Sequence, residues 1–123
     1  MSPEKTEALF KSFPGLYAGY NLPPTQTLMC FGFECDDGWF DLLWRLSKNL
    51  SEEHVVAVQV KEKYGTLRFY IGVGSDTAFD IVDTAEAESA CICEKCGDAG
   101  EMRTRGIWLK VLCEGCNNIW QKY

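Results

Sequence analysis

Histidine and positive charge are scarce in this chain, and each scarcity narrows its chemistry. The one histidine, His54, is followed by Val55-Val56, so the His-x-Glu half of a zinc deaminase pattern is missing. A single histidine without a matching Ser or Cys constellation is a poor basis for nucleophilic catalysis. It reads as a surface residue of a loop. No apolar run approaches the length of a membrane span. The N-terminus, Met-Ser-Pro-Glu-Lys, has no apolar signal region, so reduced cysteines and a cytosolic setting are expected. Lys and Arg number 12 against 18 Asp and Glu, a net charge of −6. That balance argues against general binding to a nucleic-acid backbone, which needs a positive footprint. Repeats and low-complexity segments are absent as well.

Cysteine, by contrast, is plentiful, at seven in 123 residues. Four of these form two Cys-x-x-Cys pairs, Cys93/Cys96 and Cys113/Cys116. Such a turn lets two thiolates converge on one ion, and two turns complete a tetrahedron. Gly97, directly after the first pair, can take up φ > 0 as the loop leaves the metal. The residues between the pairs suit a β-hairpin with strands near Glu101–Arg105 and Ile107–Leu112, turning at Gly106. The spacing therefore predicts a zinc ribbon holding a structural Zn2+, since four thiolates leave no open coordination position. Metal binding at small sites of this kind contributes on the order of 10 kcal/mol or more. A disulfide framework fits poorly with an odd cysteine count. A thioredoxin-type pair opens a helix after a strand, whereas Gly97 follows here. Cys91 is an alternative first-loop ligand, though its spacing to Cys93 is less usual.

Periodicity fills in the rest. Ser2 and Pro3 begin a short helix, Pro3–Phe13, ended by Pro14-Gly15. Met29, Phe31 and Phe33 alternate, so Thr27–Cys35 reads as a strand, with Cys30 and Cys35 packing as small hydrophobes. Asp37 is a candidate cap for a helix over Trp39–Leu50, whose apolar stripe is Trp39, Leu42, Leu43, Leu46 and Leu50. Val55–Val73 reads as a hairpin turning at Tyr64-Gly65, with Val56, Val58, Val60, Leu67, Phe69, Ile71 and Val73 inward. Its other face carries Gln59, Lys61, Lys63, Thr66, Arg68 and Tyr70, and Lys61 falls opposite Arg68. Like charges so placed cost up to roughly 1 kcal/mol, so an acidic neighbour is expected. The helix capped by Ser75-Asp76, roughly Thr77–Ala90, is strongly acidic and is the natural candidate. The expected fold class is α+β: a small antiparallel β-sheet or hairpin packed by helices over residues 1–90, with a C-terminal zinc ribbon over 91–123 packed on it as one unit.

The order Cys35-Asp-Asp-Gly-Trp39, then Val58-Gln-Val-Lys-Glu-Lys-Tyr-Gly-Thr-Leu-Arg-Phe-Tyr70, then the two cysteine pairs around Gly-Ile-Trp108, resembles a family of small bacteriophage and prophage proteins. The match covers about Phe31 to Cys116, and the Lys61-to-Tyr70 run is its most specific part. Asp36 stands where that family's pattern has Gly, and Cys91 is an additional thiol. The resemblance implies a phage origin and the cytoplasm of a bacterial host, and it implies no reaction. Two kinds of function follow. One is a non-enzymatic module that binds a host protein, through the hairpin face (Lys61, Lys63, Arg68, Tyr70) or the ribbon (Arg103, Arg105, Trp108, Lys110). Arg and aromatic residues are enriched at binding hot spots. The other is nucleic-acid binding through Arg103, Arg105, Lys110 and a stacking Trp108. An enzyme is a weaker reading, because adjacent Asp36 and Asp37 point apart along an extended chain.

Overall fold

The computed structural model describes all 123 residues, Met1–Tyr123, and has the expected α+β architecture. Helix α1 spans Pro3–Ser12 and is capped by Ser2, whose hydroxyl accepts from the Lys5 N–H. Strand β1 is only Phe33–Glu34. Helix α2 spans Phe40–Leu50, preceded by a 3₁₀ turn over Asp37–Trp39. Strands β2 (Ala57–Lys63) and β3 (Thr66–Ile71) form the hairpin, and α3 (Asp76–Ser89) follows. The C-terminal third contains β4 (Glu101–Arg105), β5 (Trp108–Leu112) and α4 (Glu114–Lys122).

The hairpin turn behaves as its sequence dictates. Tyr64 and Gly65 have φ of 54° and 90°, so both central residues are left-handed, as a type I′ turn requires. Val60 pairs with Phe69, Lys61 with Arg68 and Lys63 with Thr66. Further along, the expected register fails. A bulge between Ala57 and Gln59 leaves Val58 unpaired, so Ile71 faces Ala57 instead of Val58. The bulge shifts which side chains point inward: Val55 and Ala57 are buried, and Val56 is exposed. The Val58 carbonyl is freed to accept from the Leu28 N–H at 2.9 Å and the Thr27 hydroxyl at 3.1 Å. It thereby anchors the irregular segment after α1. Val73 lies beyond the end of β3 and is exposed.

The strand expected over Thr27–Cys35 is also corrected. Met29–Phe31 forms a 3₁₀ turn, and Gly32 at φ 68° re-aims the chain, so Met29 and Phe33 are buried while Phe31 faces solvent. Cys30 is exposed too, whereas Cys35 is buried. What remains as β1 pairs in parallel with β2, Phe33 opposite Val60. The sheet, in order β1-β2-β3, is therefore mixed instead of antiparallel throughout. Parallel neighbours need a crossover, and α2 supplies it.

The core lies between the sheet and α1, α2 and α3. Leu9, Tyr17, Trp39, Leu43, Leu46, Leu50, Val60 and Leu67 are among its buried members. Tyr17 is polar and buried, and its hydroxyl is 2.6 Å from Ser47 Oγ. Because the Ser47 hydroxyl donates to the Leu43 carbonyl, Tyr17 is the donor of that bond. Desolvation raises the Tyr17 pKa, so the phenol stays neutral.

Helix α3 does not neutralise Lys61 and Arg68. Glu88 pairs with Arg45 at 3.0 Å. Glu86 Oε2 accepts from the Phe69 N–H at 2.9 Å, and Ser89 Oγ accepts from the Leu67 N–H at 2.9 Å. The helix uses these side chains to satisfy the free edge of β3. Arg68 instead donates to Thr66 Oγ1 and the Leu67 carbonyl. Asp37 is likewise not the cap of α2: its carboxylate accepts from the Ser2 N–H at 2.7 Å.

Candidate metal centre and binding cleft

Cys93 and Cys96 lie on the loop before β4, and Cys113 and Cys116 lie where β5 passes into α4. Gly97 has φ 88° and donates its N–H to the Cys93 carbonyl at 2.9 Å, which closes the first turn. The second turn is the start of a helix that the sequence reading missed. Cys113 is its N-cap, and its sulfur accepts from the Cys116 N–H at 3.4 Å. The N-terminal end of α4 thus lies against the sulfurs.

The four Sγ atoms lie within 4.8 Å of one another. Cys96 Sγ and Cys113 Sγ are 3.7 Å apart. A tetrahedral ion with metal–sulfur bonds of about 2.3 Å has edges of about 3.8 Å, so the four thiols can hold a metal ion with little adjustment. The all-sulfur donor set suits Zn2+. Burial would raise the Cys93 pKa, but backbone N–H groups around its sulfur outweigh this and lower it to about 7. Cys116 moves upward through desolvation and the crowding of the Cys113, Cys93 and Cys96 sulfurs. Four adjacent thiolates repel one another, and a cation relieves that repulsion. Cys91 stands outside this cluster, exposed.

A buried carboxylate that sequence reasoning passed over sits inside the first pair. Glu94 is only 2% exposed. Its Oε2 accepts from the Asp36 N–H at 3.0 Å, and its Oε1 lies 3.6 Å from Lys110 Nζ. Burial raises its pKa and Lys110 opposes the shift. The adjoining backbone adds to the junction: the Gly38 N–H donates to the Glu94 carbonyl at 2.7 Å, and Trp39 Nε1 donates to the Ile92 carbonyl at 3.0 Å. A side chain at position 38 would collide with the Cys93 and Glu94 carbonyls, so Gly38 is required for this approach. The metal loop is thereby fastened to the start of α2. A Glu between two ligands looks like a solvated loop residue, and only its spatial partner Lys110, far along the chain, reveals otherwise.

The proposed contact residues fall into three groups. Lys63, Arg105 and Trp108 come together, with Tyr64, Ile107 and Trp120, around a cleft of about 610 Å³ between the hairpin tip and the ribbon. Lys61, Arg68 and Tyr70 lie on the hairpin outside it. Arg103 and Lys110 are tied to the fold: Arg103 bonds the Leu112 carbonyl and Glu101, and Lys110, which also lines the cleft, faces Glu94 and Asp36. The sequence offered hairpin and ribbon as alternative surfaces, and the structure merges their tips. Tyr64 is 70% exposed and Trp108 is 69% exposed. His54 is exposed in the loop before β2. No helix is long and apolar enough to cross a membrane. No protein-family model, curated protein or solved structure matches the chain.

Proposed function

We propose that the chain is a zinc-stapled, non-enzymatic module that acts by binding another protein. One observation carries this reading: exposed Tyr64 and Trp108 share a cleft with Lys63 and Arg105, although neither aromatic contributes to the core. Aromatic and Arg side chains of this kind form the anchors of protein interfaces. The four-thiol site supports a structural ion, because a closed sulfur shell has no position for substrate. Asp36 and Asp37 are engaged by Lys110 and by the Ser2 N–H. The bacteriophage resemblance supplies the setting: the cytoplasm of a bacterial host, with a host defence or regulatory protein as the partner.

The test is affinity capture from bacterial lysate with the zinc-loaded chain, paired with elemental analysis. One zinc per chain and a host protein retained by wild type but released by Trp108→Ala are expected. Retention unaffected by Trp108→Ala would remove the cleft from the account, and absence of stoichiometric zinc would remove the staple. A nucleic-acid reading has one observation in its favour, the pairing of Arg105 with an exposed Trp108 that could stack on a base. Retardation of single-stranded probes at low salt, lost in Trp108→Ala, would favour it.

A further inference from the structure

Resting on the protein-binding reading, we propose that the cleft between the hairpin tip and the ribbon takes an acidic peptide segment with an aromatic or aliphatic anchor residue. Charge is segregated on this molecule. Its net charge is −6, and α3 carries Asp76, Asp80 and Asp83 on its exposed surface. Yet none of Lys61, Lys63, Arg68 and Arg105 is ion-paired. Lys63 and Arg105 line the cleft, and Lys61 and Arg68 face each other on the same hairpin.

The other charges of the cleft are already committed. The Glu62 carboxylate accepts from the Gly65 N–H at 2.6 Å, so it serves the hairpin turn. Lys110 is held by Glu94 and Asp36. Lys63 has only the face of Tyr64, 5.5 Å from its ammonium. The two unpaired cations, Lys63 and Arg105, outnumber the Glu62 carboxylate, so the cleft keeps a positive excess that a carboxylate-bearing ligand would complete. The apolar half of the site is equally unused. Ile107, at the ribbon turn where a polar residue would serve, is 89% exposed beside Trp108. A cleft of about 610 Å³ is within the range that encloses short ligand segments.

A peptide fits better than a nucleic acid. A nucleic-acid strand brings one phosphate per nucleotide and needs a basic track. This cleft offers two free cations beside the Glu62 carboxylate, on a chain that is acidic overall. Spaced carboxylates around one apolar anchor match it in number and kind.

The experiment pans the zinc-loaded full chain against a randomised linear peptide library, then measures the recovered consensus as a fluorescein-labelled peptide. The expected consensus has at least two Asp or Glu flanking a Trp, Phe or Leu. Its affinity falls roughly tenfold or more, the scale of an interfacial hot spot, in Trp108→Ala and in the pair Lys63→Glu with Arg105→Glu. Zinc content and circular dichroism of each variant check its fold. A neutral or basic consensus, no enrichment, affinity unchanged in the charge-reversed variant, or displacement of the peptide by oligo-dT at lower concentration than by the unlabelled peptide would each overturn the inference. A host protein released by Trp108→Ala, with no acidic peptide bound, would overturn it while leaving the protein-binding reading in place.

Discussion

Glu94 and Lys110 face each other at 3.6 Å, and they join the Cys93–Cys96 loop to β5. The pair is asymmetric in burial. Glu94 has 3% of its side chain exposed and Lys110 has 31%. The carboxylate therefore depends on its partner more than the ammonium does.

Removing Lys110 leaves a buried carboxylate with one N–H donor and no counter-charge. Lys110→Met should destabilise the zinc-loaded chain by about 2–3 kcal/mol, below the range for fully buried pairs because Lys110 is partly solvated. Adding Glu94→Gln should recover part of that loss, since it removes the stranded charge. Urea denaturation of the two single variants and the double variant checks both statements. A double variant whose loss equals the sum of the two single losses would mean the pair is not coupled.

Two glycines separate steric from conformational demands. Gly106 has φ 61° and open space where a Cβ would go, so Gly106→Ala should cost only about 1–2 kcal/mol, the penalty of a left-handed Ala. At Gly38 the obstacle is the backbone of Cys93 and Glu94, which cannot rotate away. Gly38→Ala should cost about 3 kcal/mol, the upper range for overpacking, and loosen the ribbon from α2. Denaturation midpoints give the ranking, and an equal cost at both positions would contradict it.

Cys35 carries a pH dependence whose sign is set by burial. Desolvation, aided by the Glu94 charge, pushes its pKa from 9.0 up to about 12. The unfolded chain thus loses the proton first. The contribution of neutral Cys35 is complete below about pH 9 and is lost as pH rises toward 12, at up to about 1.4 kcal/mol per pH unit. Wild type should therefore weaken more steeply than Cys35→Ala between about pH 9 and 11. Parallel pH profiles of stability for the two proteins would refute it.

Legibility followed the range of the interaction. The Tyr64-Gly65 turn, the cap at Ser75 and the stripe of α2 are fixed by neighbours within a few residues, and each was readable. The clustering of Cys93, Cys96, Cys113 and Cys116 was readable because their spacing is the one that a single tetrahedral ion would require. The bulge at Val58 was not, because its cause is a carbonyl needed by Thr27 and Leu28, some thirty residues away in the chain. Parallel pairing of β1 depends on the path of α2, and burial of Glu94 on Lys110. The α3 carboxylates looked like partners for Lys61 and Arg68, but the edge of β3 claimed Glu86.

The seven cysteines offer the most direct test, because the structure divides them into three environments. Cys30 and Cys91 are exposed and lie outside the cluster. Their thiols should be alkylated by iodoacetamide in the zinc-loaded chain without loss of metal. The four clustered thiols should be protected while zinc is bound and react after chelation. Cys35 is buried with a raised pKa, so it should react only on unfolding. Chelation should also release the ribbon in preference to the sheet. Val111, Leu112 and Cys93 are buried but belong to no part of the main core cluster. Amides of β4 and β5 should then exchange fast while those of β2 and β3, packed on α2 and α3, stay protected. Mass spectrometry of alkylated peptides and hydrogen exchange before and after EDTA measure both effects. Rapid labelling of Cys96, the most accessible of the four, in the zinc-loaded chain would count against a closed metal site.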